Sequence, residues 1–310
     1  MKINFSLCVL IPCHNEALSI QGVVREYGEE FPGAEILVID NASTDGTAAE
    51  ALQAGARVIV EARLGKANAV AAGLENCDAD LIIMVDGDGS YPAKGARLLW
   101  DRYLEYPADL ITGVRCPTEE QGPVFRPMHQ LGTKLFGLCA SAVFGCCPRD
   151  IFSGLRLFSR RFYKNVPILS NGFELEMELA IQAADKGFSW SEVDVPFRDR
   201  TPGSSSKLRT VTDGCKILRS LLLLFRDYKP LYFFGAIAGV FLMLGLCAGA
   251  PPIYEYYRTH FVGRFPLAIL AAALMNIALF TFLTGLVAET NLRYHREAFQ
   301  IKLRNFQRHQ

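Results

Sequence analysis

DLIIMVDGDGSYP, residues 80–92, reads as an apolar strand that runs straight into an acidic, glycine-rich loop. Leu81 to Val85 form the most hydrophobic strand-like run in the N-terminal two thirds of the chain. Asp86 and Asp88 follow it, one residue apart, and Gly87 and Gly89 permit unusual backbone and close ligand approach. In open α/β sheets ligands sit at the carboxyl ends of strands. Two carboxylates converging there suit a divalent cation that bridges to a diphosphate. Asp-Gly is also common in plain turns, so the motif draws its weight from the strands around it.

Those strands alternate with helices. FSLCVLIP (5–12), EILVID (35–40), RVIVEA (57–62) and DLITGVR (109–115) read as further strands. Helical stretches fall around residues 17–30, 48–54, 66–77 and 92–106, with Pro92 at a helix start. Alternation of this kind predicts an α/β fold, a Rossmann-like, mostly parallel sheet with helices on both faces. VIDNASTDGT (38–47) places Asp40 at a second strand end, where it could accept hydrogen bonds from a base or ribose. Thr44, Asp45 and Gly46 make a turn leading into a helix, a role that capping alone would also explain.

The last third is different. From Leu208 to Phe225 apolar residues recur at spacings of three and four, with Arg209, Lys216, Arg219 and Arg226 off the stripe. This predicts an amphipathic juxtamembrane helix over 207–230, although such a stripe also suits a helix lying on a globular core. Residues 231–250 and 267–288 carry no charge. Each has about the 20 residues needed to cross ~30 Å of hydrocarbon. The tyrosine-rich connection between them carries only Arg258 and Arg264, opposed by Glu255, whereas both outer flanks are strongly basic. The positive-inside rule therefore predicts two membrane spans, with the large domain (1–206) and a basic tail (289–310) in the cytoplasm. Gly235 and Gly239, and again Gly245 and Gly249, have the spacing that lets helices approach closely, a candidate face for homo-oligomers.

Composition excludes some classes. Lys+Arg and Asp+Glu balance at 32 each, so no net charge draws the chain to nucleic acid. Nine cysteines show no Cys-x-x-Cys spacing and read as reduced, structural residues, as a cytoplasmic domain requires. The N-terminal apolar run is short and lacks the cleavage pattern of a signal peptide.

In their order, IPCHNE (11–16), VIDNASTDGT (38–47), RLGKANAVAAGL (63–74), VDGDGSYP (85–92), FSGLRLFSR (152–160), GFELEMELAIQAADKGF (172–188) and VPFRDRTPGSSSKL (195–208) resemble glycosyltransferase family 2, of GT-A fold. Within it they resemble the dolichyl-phosphate mannose synthase-like polyprenyl-phosphate glycosyltransferases. The resemblance covers the whole chain. It implies a nucleotide-sugar donor site lined by Pro12, Asn15, Glu16, Asp40, Lys66 and Asp86, and Mg²⁺ or Mn²⁺ held by Asp86 and Asp88. It implies an acceptor phosphate bound among Arg115, Arg126, Arg200, Ser206 and Lys207. Arg forks match phosphate oxygens, and Arg200 and Lys207 flank a Pro-Gly-Ser-Ser-Ser loop just before the amphipathic helix, where a lipid head group would enter.

The second motif carries Asp40-Asn41 where the family often pairs aspartates. Ser90 stands where mannose synthases tend to have Gln, which leans the donor toward a UDP-sugar. The Gln-x-x-Arg-Trp mark of processive synthases is absent and two spans are too few for a polymer channel, so one sugar per reaction is expected. The expected chemistry is direct displacement with inversion, by an acceptor phosphate already ionised at neutral pH. Positioning and charge stabilisation carry such a step, with Asp88, Arg115 and Arg200 as the groups nearest the reaction. Asp150, Glu174 and Glu176 are the candidates if a general base is used. Glu174 and Glu176 are two apart on a helix, so at most one faces the site. A diacylglycerol or protein acceptor, or a scaffold that keeps the fold without turnover, are the alternatives.

Overall fold

The computed structural model describes residues 5–117, 148–168, 175–198, 222–223 and 225–308. The chain divides into two compact units, residues 1–218 and 219–310. Among the described residues the first unit holds seven strands: β1 (Leu7–Cys13), β2 (Glu35–Asp40), β3 (Arg57–Val60), β4 (Leu81–Met84), β5 (Leu110–Pro117), β6 (Arg156–Ser159) and β7 (Trp190–Phe197). Between them lie α1 (Ile20–Glu30), α2 (Thr47–Gln53), α3 (Lys66–Glu75), α4 (Ala93–Glu105), α5 (Arg160–Tyr163) and α6 (Leu175–Asp185). Spatial order is β3-β2-β1-β4-β6-β5-β7. β1 runs parallel to β2 and β4, β2 to β3, and β5 to β7, while β6 is antiparallel to both of its neighbours. The expected mostly parallel α/β sheet is present, with one reversed strand inserted.

The pleat explains which faces are covered. Val9, Ile11 and Cys13 of β1 point to one side and join a core with Ile20, Val23, Val24 and Tyr27 of α1 and Ala96 and Leu99 of α4. The spacing of the α1 residues is that of a single helical stripe. Leu10 points to the other side, against α3. A Cβ at Gly73 would overlap the Leu10 side chain, so this helix lies close because it is glycine there. All of Leu81 to Val85 is fully buried, as its uniform hydrophobicity requires.

The second unit contains α7 (Pro230–Thr259) and α8 (Phe265–Arg308). Both are long and apolar enough to cross a membrane, each with a mean hydropathy of 2.2 over its most apolar stretch. Only 11% of each such stretch is buried, and Val240, Met243, Phe280 and Val287 are more than half exposed. A soluble core helix would hide these side chains, whereas a helix that crosses a bilayer turns such side chains to lipid. Both helices outrun the predicted spans. α7 continues through Pro251 and Pro252 to Thr259, and its two ring nitrogens give up two helical hydrogen bonds. α8 runs on through the predicted tail as far as Arg308, about 66 Å at 1.5 Å per residue.

The glycine pairs separate in role. A Cβ at Gly245 would press on Met275 at 3.1 Å and one at Gly249 would touch Ala271 at 3.4 Å, so this pair is used inside the chain's own α7–α8 hairpin. At Gly235 and Gly239 a Cβ would meet no described atom within 4 Å. The amphipathic helix predicted before α7 lies largely outside the described residues, which resume at 222–223 and 225.

Candidate active site

Three parallel strands end side by side: β1 at Cys13, β2 at Asp40 and β4 at Met84. Their loops are sewn together by short polar side chains. Asn15, exposed and at a left-handed φ of 54°, accepts from Thr44 N through Oδ1 at 2.8 Å, and its own N–H donates to Ser43 Oγ at 3.0 Å. Glu16 N donates to Thr47 Oγ1 at 2.9 Å. Asp45 accepts from Ala17 N at 3.2 Å and from the amide and hydroxyl of Thr47. Burial pushes the Asp45 carboxyl up, but these Thr47 and Ala17 hydrogen bonds outweigh it and hold its pKa low. Pro12, one residue before the end of β1, is buried.

Asp40 is 5% exposed at the tip of β2. Among the described residues its Oδ1 has no hydrogen-bond partner. A buried carboxylate oxygen without a partner is costly, and it is the atom a donor N–H from a ligand would satisfy. Asn41 does something different. Its amide donates to the carbonyls of Glu61 at 3.2 Å and Arg63 at 2.7 Å, and its Oδ1 accepts from Gly65 N at 2.7 Å. It fixes the loop that delivers α3, a task that needs donors and an acceptor on one side chain. Asn41→Asp, which restores the family's paired aspartates, would turn two donors into an acceptor facing two carbonyls. The expected result is a loss of about 3 kcal/mol of stability, read as a lowered melting temperature.

The Asp-x-Asp loop is shaped by its glycines. A Cβ at Gly87 would strike Cys13 Sγ, and Gly89 has a φ of 75°. Ser19 Oγ holds the Gly87 carbonyl at 2.8 Å. Asp88 is 5% exposed, and its Oδ1 accepts from both the amide (3.0 Å) and the hydroxyl (2.6 Å) of Ser90. Ser90 thus sets the orientation of this carboxylate. Asp86 faces Lys66, the first residue of α3, whose Nζ lies 2.5 Å from Asp86 Oδ1 and 2.6 Å from Glu176 Oε1. Burial alone would depress the Lys66 pKa, but the two carboxylates overcome it and push it up. Glu176, 3% exposed near the start of α6, is thereby brought to the same point as Lys66, 110 positions earlier.

These side chains fit a metal-bound diphosphate. The donor set is hard oxygen, as Mg²⁺ and Mn²⁺ prefer, and Asp86 is already neutralised by a cation. The carboxylate of Asp86 fills the space a side chain at position 154 would take, since a Cβ on Gly154 would overlap Asp86 Oδ2. Gly154→Ala should therefore displace Asp86 and lower turnover about 10²-fold, the scale of small misplacements at reacting centres. Initial rates, with donor affinity measured alongside, check this.

Asp150 and Arg115 form a two-pronged pair, Nε to Oδ2 at 2.6 Å and Nη2 to Oδ1 at 2.8 Å. Burial lowers the Arg115 pKa, and the bond to Asp150 more than reverses this. Both oxygens of Asp150 thus hold a cation, so service as a base needs this pair to open.

Sequence reasoning did not single out several supports. Arg156 is wholly buried in β6, donates to the carbonyls of Ser153 at 3.0 Å and Ile151 at 2.9 Å, and so fixes the turn carrying Gly154. Tyr91 OH accepts from Gly154 N at 3.0 Å, and burial pushes its pKa up to about 12. Arg198 donates to the Gly89 carbonyl at 2.7 Å and pairs with Glu26 at 2.7 Å, clamping the end of β7 to the Asp-x-Asp loop. Arg198 lies in the quoted VPFRDR stretch; nothing in its spacing separates it from Arg200. Arg126, Glu174, Arg200, Ser206 and Lys207 lie outside the described residues.

Known proteins agree with this architecture. Glycosyltransferase AglJ of Haloferax volcanii is 30% identical over 94% of this chain and 95% of its own length. The dolichyl-phosphate hexose transferase of the same organism is 28% identical, over 70% of this chain and 92% of its own. The crystal structure of glucosyl-3-phosphoglycerate synthase from Mycobacterium tuberculosis with Mn²⁺, UDP and phosphoglyceric acid superposes with a TM-score of 0.59 at 22% identity. It covers 73% of this chain and 79% of that one, and it shares the GT-A fold. The sequence profile of Glycosyl transferase family 2 matches residues 8–166, the span that holds Asp40, Lys66, Asp86, Asp88 and Asp150, and with the full-length relative it places the chain in that family, as a glycosyltransferase.

Proposed function

We propose that the chain transfers one sugar from a UDP-linked donor, with inversion, to a polyprenyl phosphate at the cytoplasmic face of a membrane. The observation that carries this reading is the joining, at the carboxyl ends of parallel strands, of an unpartnered buried Asp40 oxygen with the Lys66–Asp86–Glu176 cluster and Asp88. Those strand ends belong to a chain that also carries two long apolar helices with exposed side chains. The dolichyl-phosphate name of one relative and the UDP and Mn²⁺ named with a fold neighbour support the acceptor and donor classes.

In this reading Asp40 accepts a hydrogen bond from the base, with Pro12, Asn15 and Glu16 along the same wall. Asp86 and Asp88 hold Mg²⁺ or Mn²⁺, which when bound offsets the negative charge that builds on the departing nucleotide. Lys66 keeps its proton and presents an ammonium to the diphosphate, steadied by Glu176. The acceptor phosphate arrives ionised, so positioning by Arg115, Arg126, Arg200, Ser206 and Lys207 replaces strong base assistance. Conversion of a charged substrate to a charged product at a bilayer surface is consistent with spans that anchor the enzyme.

The test is the purified protein in detergent with polyprenyl phosphate and labelled UDP-glucose, UDP-GlcNAc and GDP-mannose in turn, each with Mg²⁺ or Mn²⁺. Label should enter the lipid from a UDP-sugar, and chelation should stop it. Label entering diacylglycerol or protein instead, or donor binding without transfer, would refute the acceptor assignment.

A further inference from the structure

A second cluster lies at the other end of the sheet. Cys8 is the second residue of β1 and Glu35 the first of β2, and the strand register sets them side by side. Cys77 follows α3 by two residues. The two sulfur atoms and a Glu35 carboxylate oxygen all lie within 4.8 Å of one another. Both cysteines are essentially inaccessible, at 0% and 1%. The Glu35 side chain is 39% exposed, so the cluster reaches solvent on one side.

Buried cysteines usually act as small hydrophobes, but here the surroundings hold them in place from several directions. Lys164 Nζ donates to the Cys77 carbonyl at 2.8 Å. Arg57 Nη1 donates to Glu35 Oε1 at 2.8 Å and reaches the Asn76 carbonyl at 3.3 Å, tying the carboxylate to the residue before Cys77. Orienting partners of this kind are the usual second layer of metal ligands. We propose that Cys8, Cys77 and Glu35 form a binding site for a thiophilic divalent cation, zinc in the first instance, with water as the fourth ligand.

The charge balance favours such a site. Two thiols lose their protons as the dication enters, so the cluster keeps one net negative charge with or without metal. Zn–S bonds of about 2.3 Å and Zn–O bonds of about 2.1 Å in a tetrahedron put ligand atoms under about 4 Å apart, within reach of the observed spread. Sulfur ligands select zinc over Mg²⁺ and Mn²⁺, whereas Asp86 and Asp88 offer only oxygen. The two ends of the sheet therefore discriminate between metals. A cation here would tether the C-terminal end of α3 to β1 and β2, and α3 presents Lys66 from its first turn.

The test uses the full chain in detergent, purified with a reductant and without chelator. Metal analysis after dialysis into Mg²⁺ buffer should find about one zinc per chain, as a tight site predicts. Replacing zinc by Co²⁺ should give a thiolate-to-cobalt absorption band that carboxylate sites cannot produce. That band should vanish in Cys77→Ser. Glu35→Gln, at a half-exposed position where folding is spared, should weaken zinc binding about 10-fold or more. Absence of bound zinc, a cobalt band that persists in Cys77→Ser, unchanged zinc affinity in Glu35→Gln, or a Cys8–Cys77 disulfide in protein alkylated at lysis would each overturn the assignment.

Discussion

Asp88→Asn should reduce sugar transfer by about 10³-fold or more while leaving the protein folded. The two effects separate because of how Asp88 is held. Its Oδ1 accepts from the amide and hydroxyl of Ser90, and an asparagine Oδ1 of the same shape can accept both. What the substitution removes is the charge. Fixed charges aimed at a developing oxyanion or at its metal are worth several kcal/mol, and about 4 kcal/mol is 10³ in rate. Asp88→Ala should lose transfer to the same degree and also lower the melting temperature, because the Ser90 hydroxyl then loses its buried acceptor. Initial rates with labelled donor and thermal melts on both variants give the comparison. Transfer at wild-type rate by Asp88→Asn would remove the carboxylate's charge from the mechanism.

Most of the parallel sheet was legible because each of its strands is an apolar run that stops at turn chemistry. EILVID stops at Asn41, and LIIMV stops at Asp86. β6 and β7 were not legible as strands. β6 begins at Arg156, whose charge reads as surface yet is wholly buried and spent on backbone carbonyls. β7 lies at the sheet edge, and its WSEVDVPF alternation leaves half-covered positions throughout. At the site, carboxylates at strand ends could be read from order alone. Pairings could not: Lys66 meets Glu176 across most of the domain, and a helix pattern does not say which glutamate turns inward. In the sequence Asn41 departs from paired aspartates, and its three hydrogen bonds give that departure a structural cause. Ser90 bears on donor choice in the sequence, and the structure adds its grip on Asp88.

The same limit applies to Asp150, a candidate base in the sequence whose partner only the fold reveals. Asp150→Ala would leave the Arg115 guanidinium, with a side chain only 13% exposed, without its counter-charge. Breaking one side of a buried pair costs about 3–5 kcal/mol. For a unit of this size that is a fall of about 10 °C in melting temperature. Trp100 and Trp190, the two tryptophans of the chain, sit in α4 and β7, so their fluorescence reports this unit and not α7 and α8. The double variant Arg115→Met/Asp150→Leu removes both charges and should recover most of the loss, because a well-filled apolar pair replaces a buried ion pair at little cost. Its activity then separates architecture from chemistry. If the pair acts only by bracing the end of β5, the double variant transfers sugar nearly as well as it folds. If Asp150 takes a proton or Arg115 holds the acceptor phosphate, the double variant melts normally and transfer falls about 10²-fold or more.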